Sequence, residues 1–138
     1  MPTAIDEPTN EEIAEVLEQA KALMNQKGAH WTQGSYRQRA YPYPSWGESG
    51  VESFCSAGAI QQVVAGDPYA HQKVIPHAKR RLIQRAMIEL MGGKIDNSTE
   101  ALHEIVTWND SPDTTWSKVS ARFTRTANRL RKKGNSPS

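Results

Sequence analysis

Residues 53–64, Ser-Phe-Cys-Ser-Ala-Gly-Ala-Ile-Gln-Gln-Val-Val, limit the fold of this chain more than any other stretch. Wound as an α-helix at about 100° per residue, they place Phe54, Cys55, Ala57, Ala59, Ile60, Val63 and Val64 around most of the circumference, the pattern of a helix buried on all sides. The other helices must then pack around this one. Ser53 is the expected N-cap, which would set Cys55 in the first turn.

The flanking sequence supplies those helices. Thr9-Asn10-Glu11-Glu12 reads as a capping box, and Ile13, Val16, Leu17, Ala20, Leu23 and Met24 fall on one stripe of a helix expected to stop near Gly28. After a turn at Gly66-Asp67-Pro68, a short helical piece is expected to about Lys73. Pro76 then opens a helix over 76–91 with Ala78, Leu82, Ile83, Ala86, Met87 and Leu90 on a wide face and Gly92-Gly93 at its end. Asn97 and Glu100 mark the start of a fourth helix, closed at Trp108, and Asn109-Asp110-Ser111-Pro112-Asp113 reads as a turn whose end, Asp113 or Thr114, caps the next helix. The last helix, 115–133, sets Trp116, Val119, Phe123, Ala127 and Leu130 against a basic reverse face. No long strand pattern and no internal repeat is present. The expected architecture is all-α: an irregular bundle of about five helices in one domain, 9–133, between tails 1–8 and 134–138.

With 138 residues the chain can bury roughly two-thirds of its unfolded surface in one core. Its single cysteine excludes an internal disulfide framework and fits a reducing compartment. No run of about 18 apolar residues and no secretion signal is present, so neither membrane insertion nor export is expected, and the cytoplasm is the expected location. The net charge of +2 hides a strong segregation. Six acids and no Lys or Arg stand in residues 1–20, whereas seven Lys or Arg and no acid stand from 118 onward. Either the two ends attract each other in the fold, or each offers a charged face to a partner.

Three functional readings follow. The irregular loop 29–52 carries Tyr36, Arg37, Arg39, Tyr41, Tyr43 and Trp46, rings and guanidinia suited to gripping a protein partner of unknown identity, although rings there also serve to cover a core. Arg81 and Arg85 on one helix, with Lys118, Arg122, Arg125, Arg129, Lys132 and Lys133 on another, form basic faces suited to a nucleic-acid backbone. A solvated helix face explains the same pattern. Cys55 near a helix N-terminus is the weak candidate for a cysteine hydrolase, but the spacing of His30, His71, His77 and His103 brings none of them to it, and a buried small hydrophobe is the simpler role. No phosphate loop, metal-binding motif or helical His pair exists, so neither a cofactor nor a metal is expected.

Trp31-Thr32-Gln33-Gly34, Cys55-Ser56-Ala57-Gly58-Ala59 and Thr107-Trp108-Asn109-Asp110, ahead of an amphipathic last helix with Phe123, resemble a family of small uncharacterised actinobacterial and actinophage proteins, over roughly residues 9–130. The resemblance implies a host setting, the host cytoplasm for a phage-encoded chain, and no activity. On it, Trp31, Gly34, Gly58, Ala59, Trp108, Asn109 and Asp110 are expected to be structural: small residues for close packing, rings to fill the space, and Asn109-Asp110 to fix a turn. An exposed polar role for Asn109 or Asp110 is the alternative.

Overall fold

The computed structural model describes residues 7–25, 31–34, 37–39 and 52–134. Among them run five α-helices: α1 (Asn10–Met24), α2 (Ser56–Ala65), α3 (His77–Leu90), α4 (Ser98–Asp110) and α5 (Trp116–Gly134). The fold is the expected all-α bundle. It adds one feature the sequence pattern does not show, a two-stranded antiparallel ribbon of β1 (Arg37–Arg39) and β2 (Glu52–Phe54), in which Arg37 pairs with Phe54 and Arg39 with Glu52. Trp31 makes a parallel bridge to the other side of Phe54. Strands of three residues leave too few alternating positions to be read from sequence.

The central helix is where it was expected. Every residue of α2 from Ser56 to Gln61 is buried, and α1, α3 and α4 all pack on it. Its start differs from the expectation. Cys55, not Ser53, is the N-cap, because Ser53 and Phe54 are held extended in β2, and the Cys55 Sγ accepts from the Gly58 N–H at 3.3 Å. Gly66, at φ 73°, ends the helix in the left-handed conformation that glycine takes without strain.

Around this axis α1 forms as its capping box dictates: the Thr9 Oγ1 accepts from the Glu12 N–H at 3.1 Å while the Glu12 carboxylate accepts from the Thr9 N–H at 2.8 Å. The helix closes at Met24, and the expected stop at Gly28 lies outside the described residues. Ile13, Ala14, Val16, Leu17, Ala20 and Met24 face inward, and α1 lies along α5 more extensively than any other pair of helices. From α5 come Val119, Phe123, Ala127 and Leu130, all essentially sealed from solvent. Each Val, Leu, Ile, Met or Phe among them stabilises the fold by about 1.5–3 kcal/mol through burial.

Three boundaries move from their expected places. The piece after Gly66 is a single 3-10 turn, Ala70–Gln72; Pro76 stands at the N-cap of α3 rather than inside it; and Thr115 caps α5, its Oγ1 accepting from the Lys118 N–H at 3.3 Å. The charge segregation between the two ends resolves in part into attraction. Arg131 of α5 reaches across to α1, its Nε 3.0 Å from the Glu11 carboxylate, with Glu15 at 3.7 Å and Glu18 also bonded. No helix among the described residues is long and apolar enough to cross a membrane.

Candidate functional site

The three short sequence motifs, far apart in the chain, meet at one side chain. Asn109 was expected in a turn after α4; instead α4 continues through Asp110, and Asn109 is 0% exposed in its last turn. Its Oδ1 accepts three hydrogen bonds, from the Trp31 indole Nε1–H at 2.7 Å, the Ser56 N–H at 2.9 Å and the Ser56 hydroxyl at 2.8 Å. Its Nδ2 donates to the Thr32 carbonyl at 3.0 Å and to the Asp110 carboxylate at 3.1 Å. A primary amide offers one acceptor oxygen and two N–H donors, and here every one of them is engaged.

This arrangement follows from what a helix leaves undone at its ends. The first N–H groups of α2 and the last carbonyls of α4 have no partners within their own helices. Asn109 supplies an acceptor to the Ser56 N–H, and the Gln33 side-chain amide donates to the Asn109 and Ser111 carbonyls at 2.8 and 2.9 Å. The Gly34 N–H donates to the Asp110 carboxylate at 2.9 Å, from a backbone at φ 86° that only glycine adopts freely. Residues 31–34 thus lie across the end of α4, and Phe54 joins them to α2 by accepting from the Thr32 N–H at 3.0 Å. The alternative of an exposed polar role for Asn109 is therefore replaced by that of a buried joint.

Of the remaining motif residues, Gly58 and Ala59 are buried in α2, and Trp108 is half-buried, with the Arg122 guanidinium 4.6 Å from its ring centroid. Cys55 is 4% exposed, and burial, outweighing the hydrogen bonds from Gly58 and Ala57, pushes its thiol up from 9.0 to about 11. A nucleophilic cysteine needs the opposite shift. Among the described residues no group of three or more His, Cys, Asp or Glu stands together to hold a metal ion.

The aromatic loop residues Tyr36, Tyr41, Tyr43 and Trp46 lie outside the described residues; Arg37 and Arg39 stand in β1, and nothing of their side chains is described. The basic residues divide. Arg81 pairs with Glu7 at 2.7 Å, and Arg85 and Arg129 converge on Glu89 at 2.6 and 3.2 Å, tying α3 to α5. Those three arginines are thus paired within the fold, Arg85 and Arg129 sharing one carboxylate. Lys132 and Lys133 are exposed at the end of α5, and Lys118, Arg122 and Arg125 share the helix's outer side.

Sequence reasoning missed two polar residues that hold the frame. Gln61 is 0% exposed in the middle of α2, where its Nε2 donates to the Pro68 carbonyl at 2.6 Å and its Oε1 accepts from the His71 N–H at 2.6 Å, with His71 Nδ1 at 2.9 Å. An amide oxygen only accepts, so the His71 proton sits on Nδ1. A glutamine inside an otherwise apolar helix was the available signal. For Glu89 the signal was only its four-residue spacing from Arg85, which does not reveal Arg129 on another helix.

Neither the curated proteins nor the solved structures contain a significant match to this chain. One family model does match, over residues 8–129, nearly the whole of the described domain and all three motifs that meet at Asn109. The chain belongs to that family, a family of unknown function designated DUF6197.

Proposed function

We propose that the protein is a binding module for a partner protein, and that the joint at Asn109 presents its binding segment. The observation that carries this reading is that one buried side chain holds both flanks of residues 35–51: Trp31 and Thr32 on the entering side, Ser56 on the leaving side. Between those flanks stand Tyr36, Arg37, Arg39, Tyr41, Tyr43 and Trp46, the residue types that dominate binding energy at protein interfaces. A fixed frame lowers the entropy that a segment loses on binding. The resemblance to actinobacterial and actinophage proteins supports a reading in which the partner is a protein of an actinobacterial host's cytoplasm, modulated by this chain if it is phage-encoded.

Affinity purification from such a lysate, followed by titration of the identified partner in purified form, tests the reading. Tyr41→Ala and Trp46→Ala are expected to weaken that partner by about tenfold or more each, the effect of losing an interface anchor. Arg125→Glu, far from the segment in sequence, leaves it unchanged. The reading fails when no partner depends on Tyr41 or Trp46.

A further inference from the structure

Some cations of the described structure are paired with carboxylates and others are not. Arg81, Arg85, Arg129 and Arg131 each meet a carboxylate within ion-pair distance. Among the described residues, Lys118, Arg122 and Arg125 meet none. Their spacing of four and then three residues puts them on one side of α5, where with Trp108 and Ser117 they line an open cleft of about 310 Å³.

The geometry of Arg122 sets it apart from a solvated surface cation. Its guanidinium lies 4.6 Å from the centroid of the Trp108 ring, and Nη1 is 3.7 Å from the Met91 Sδ. Burial, and then the like charge of Arg125, hold its pKa below the usual arginine value. Contact with the ring and the sulfur steadies the guanidinium, and Arg122 lines the cleft. Lys118 Nζ donates to the Asp113 carbonyl at 2.9 Å, which steadies the ammonium without neutralising it, and Arg125 is exposed beside them. Three cations held together without a counter-ion raise the local positive potential, and a planar fork matches the oxygens of a phosphate in pairs.

We infer that this cleft is a phosphate-binding site, with Arg122 as the oriented fork and Lys118 and Arg125 as flanking charges. The phosphate belongs to a nucleic-acid backbone or to a small phosphate compound, and the two are separated by experiment. The arginine Nε–H and backbone amide resonances of the full chain are followed in low salt during titration with inorganic phosphate and, separately, with a short poly-dT oligonucleotide.

Saturable shifts centred on Arg122, Arg125 and Ser117 are expected. Binding of the oligonucleotide that is much tighter than that of phosphate and falls steeply with salt assigns the site to nucleic acid; comparable binding of both assigns it to small phosphates. The double variant Lys118→Gln, Arg125→Gln, at a side chain bonded to one carbonyl and an exposed one, keeps the fold and lowers affinity about tenfold or more. Arg131→Gln, whose charge is already paired, leaves it unchanged. The inference is overturned when neither probe gives saturable shifts at these residues, or when the folded double variant binds as tightly as the parent.

Discussion

The Asn109 joint and the Arg131 bridge both connect parts of the chain that are distant in sequence, and they do so by opposite means. Asn109 is neutral, sealed from water and bonded through every polar atom of its amide, to its neighbour Asp110 and to residues 53 to 78 positions away. Arg131 is charged and reaches glutamates 113 to 120 positions away in the open, on the surface of the bundle. Water competes for each of the Arg131 bonds and screens its charge, whereas the Asn109 side chain is sealed from it, most fully at the bonds to Ser56. The comparison teaches that the count of bonds is a poor measure of their weight: burial decides it.

The largest effect is expected on removing the joint. Asn109→Ala leaves the Ser56 N–H, the Ser56 hydroxyl and the Trp31 indole N–H without their acceptor, and at about 1–3 kcal/mol for a buried donor left unsatisfied the loss reaches about 3 kcal/mol or more in a denaturant titration. A destabilisation below about 1 kcal/mol would mean that water replaces the amide there, and the contrast with Arg131 would collapse.

Cys55 sharpens the comparison from the neighbouring position. Its thiol is raised from 9.0 to about 11 in the fold, so the neutral form stabilises the native state fully below pH 9. That stability is lost as pH rises through the window between the two values, because the unfolded chain then gives up its proton first. The loss is roughly 1.4 kcal/mol per pH unit inside the window. Cys55→Ala removes this slope, and the difference between parent and variant, read by unfolding at pH 8 and pH 10.5, isolates it from the other alkaline titrations. Equal slopes would show that the thiol is reached by water in the native state.

Glu89 lies between the two extremes, largely buried but facing half-exposed arginines from α3 and α5. Glu89→Gln keeps the shape and removes the charge, and is expected to destabilise by about 1–2 kcal/mol in the same titration, since bonds to charged groups are the stronger ones. Arg131→Gln gives the smallest change, close to the error of the measurement, and high salt erases it. An effect of Arg131→Gln as large as that of Asn109→Ala would invert the ranking.

What could be read from the sequence was whatever local chemistry decides. Thr9 and Glu12 announce α1 because a capping box needs only four residues, and the all-round apolar pattern of residues 53–64 marks α2 because no surface helix tolerates it. The joint was legible only as three separate motifs. Asn109 favours turns in isolation, so the end of α4 was set two residues early; in the fold, partners from 53 and 78 residues away satisfy its side chain and let the helix continue. Ser53 has the chemistry of an N-cap, yet pairing of β2 with β1 holds it extended and passes the role to Cys55. The charge segregation between the chain ends was visible, but which arginines are paired depends on the helix packing that brings Glu7, Glu89 and the α1 glutamates to them.

Hydrogen exchange at the joint itself tests its role most directly. The Trp31 indole N–H and the Ser56 amide are expected to be strongly protected in the native protein, and both are expected to lose that protection together in Asn109→Ala while the amides around Phe123 and Leu130 keep theirs. A Trp31 indole that exchanges freely in the native protein, or protection of both groups that survives the loss of Asn109, would contradict it.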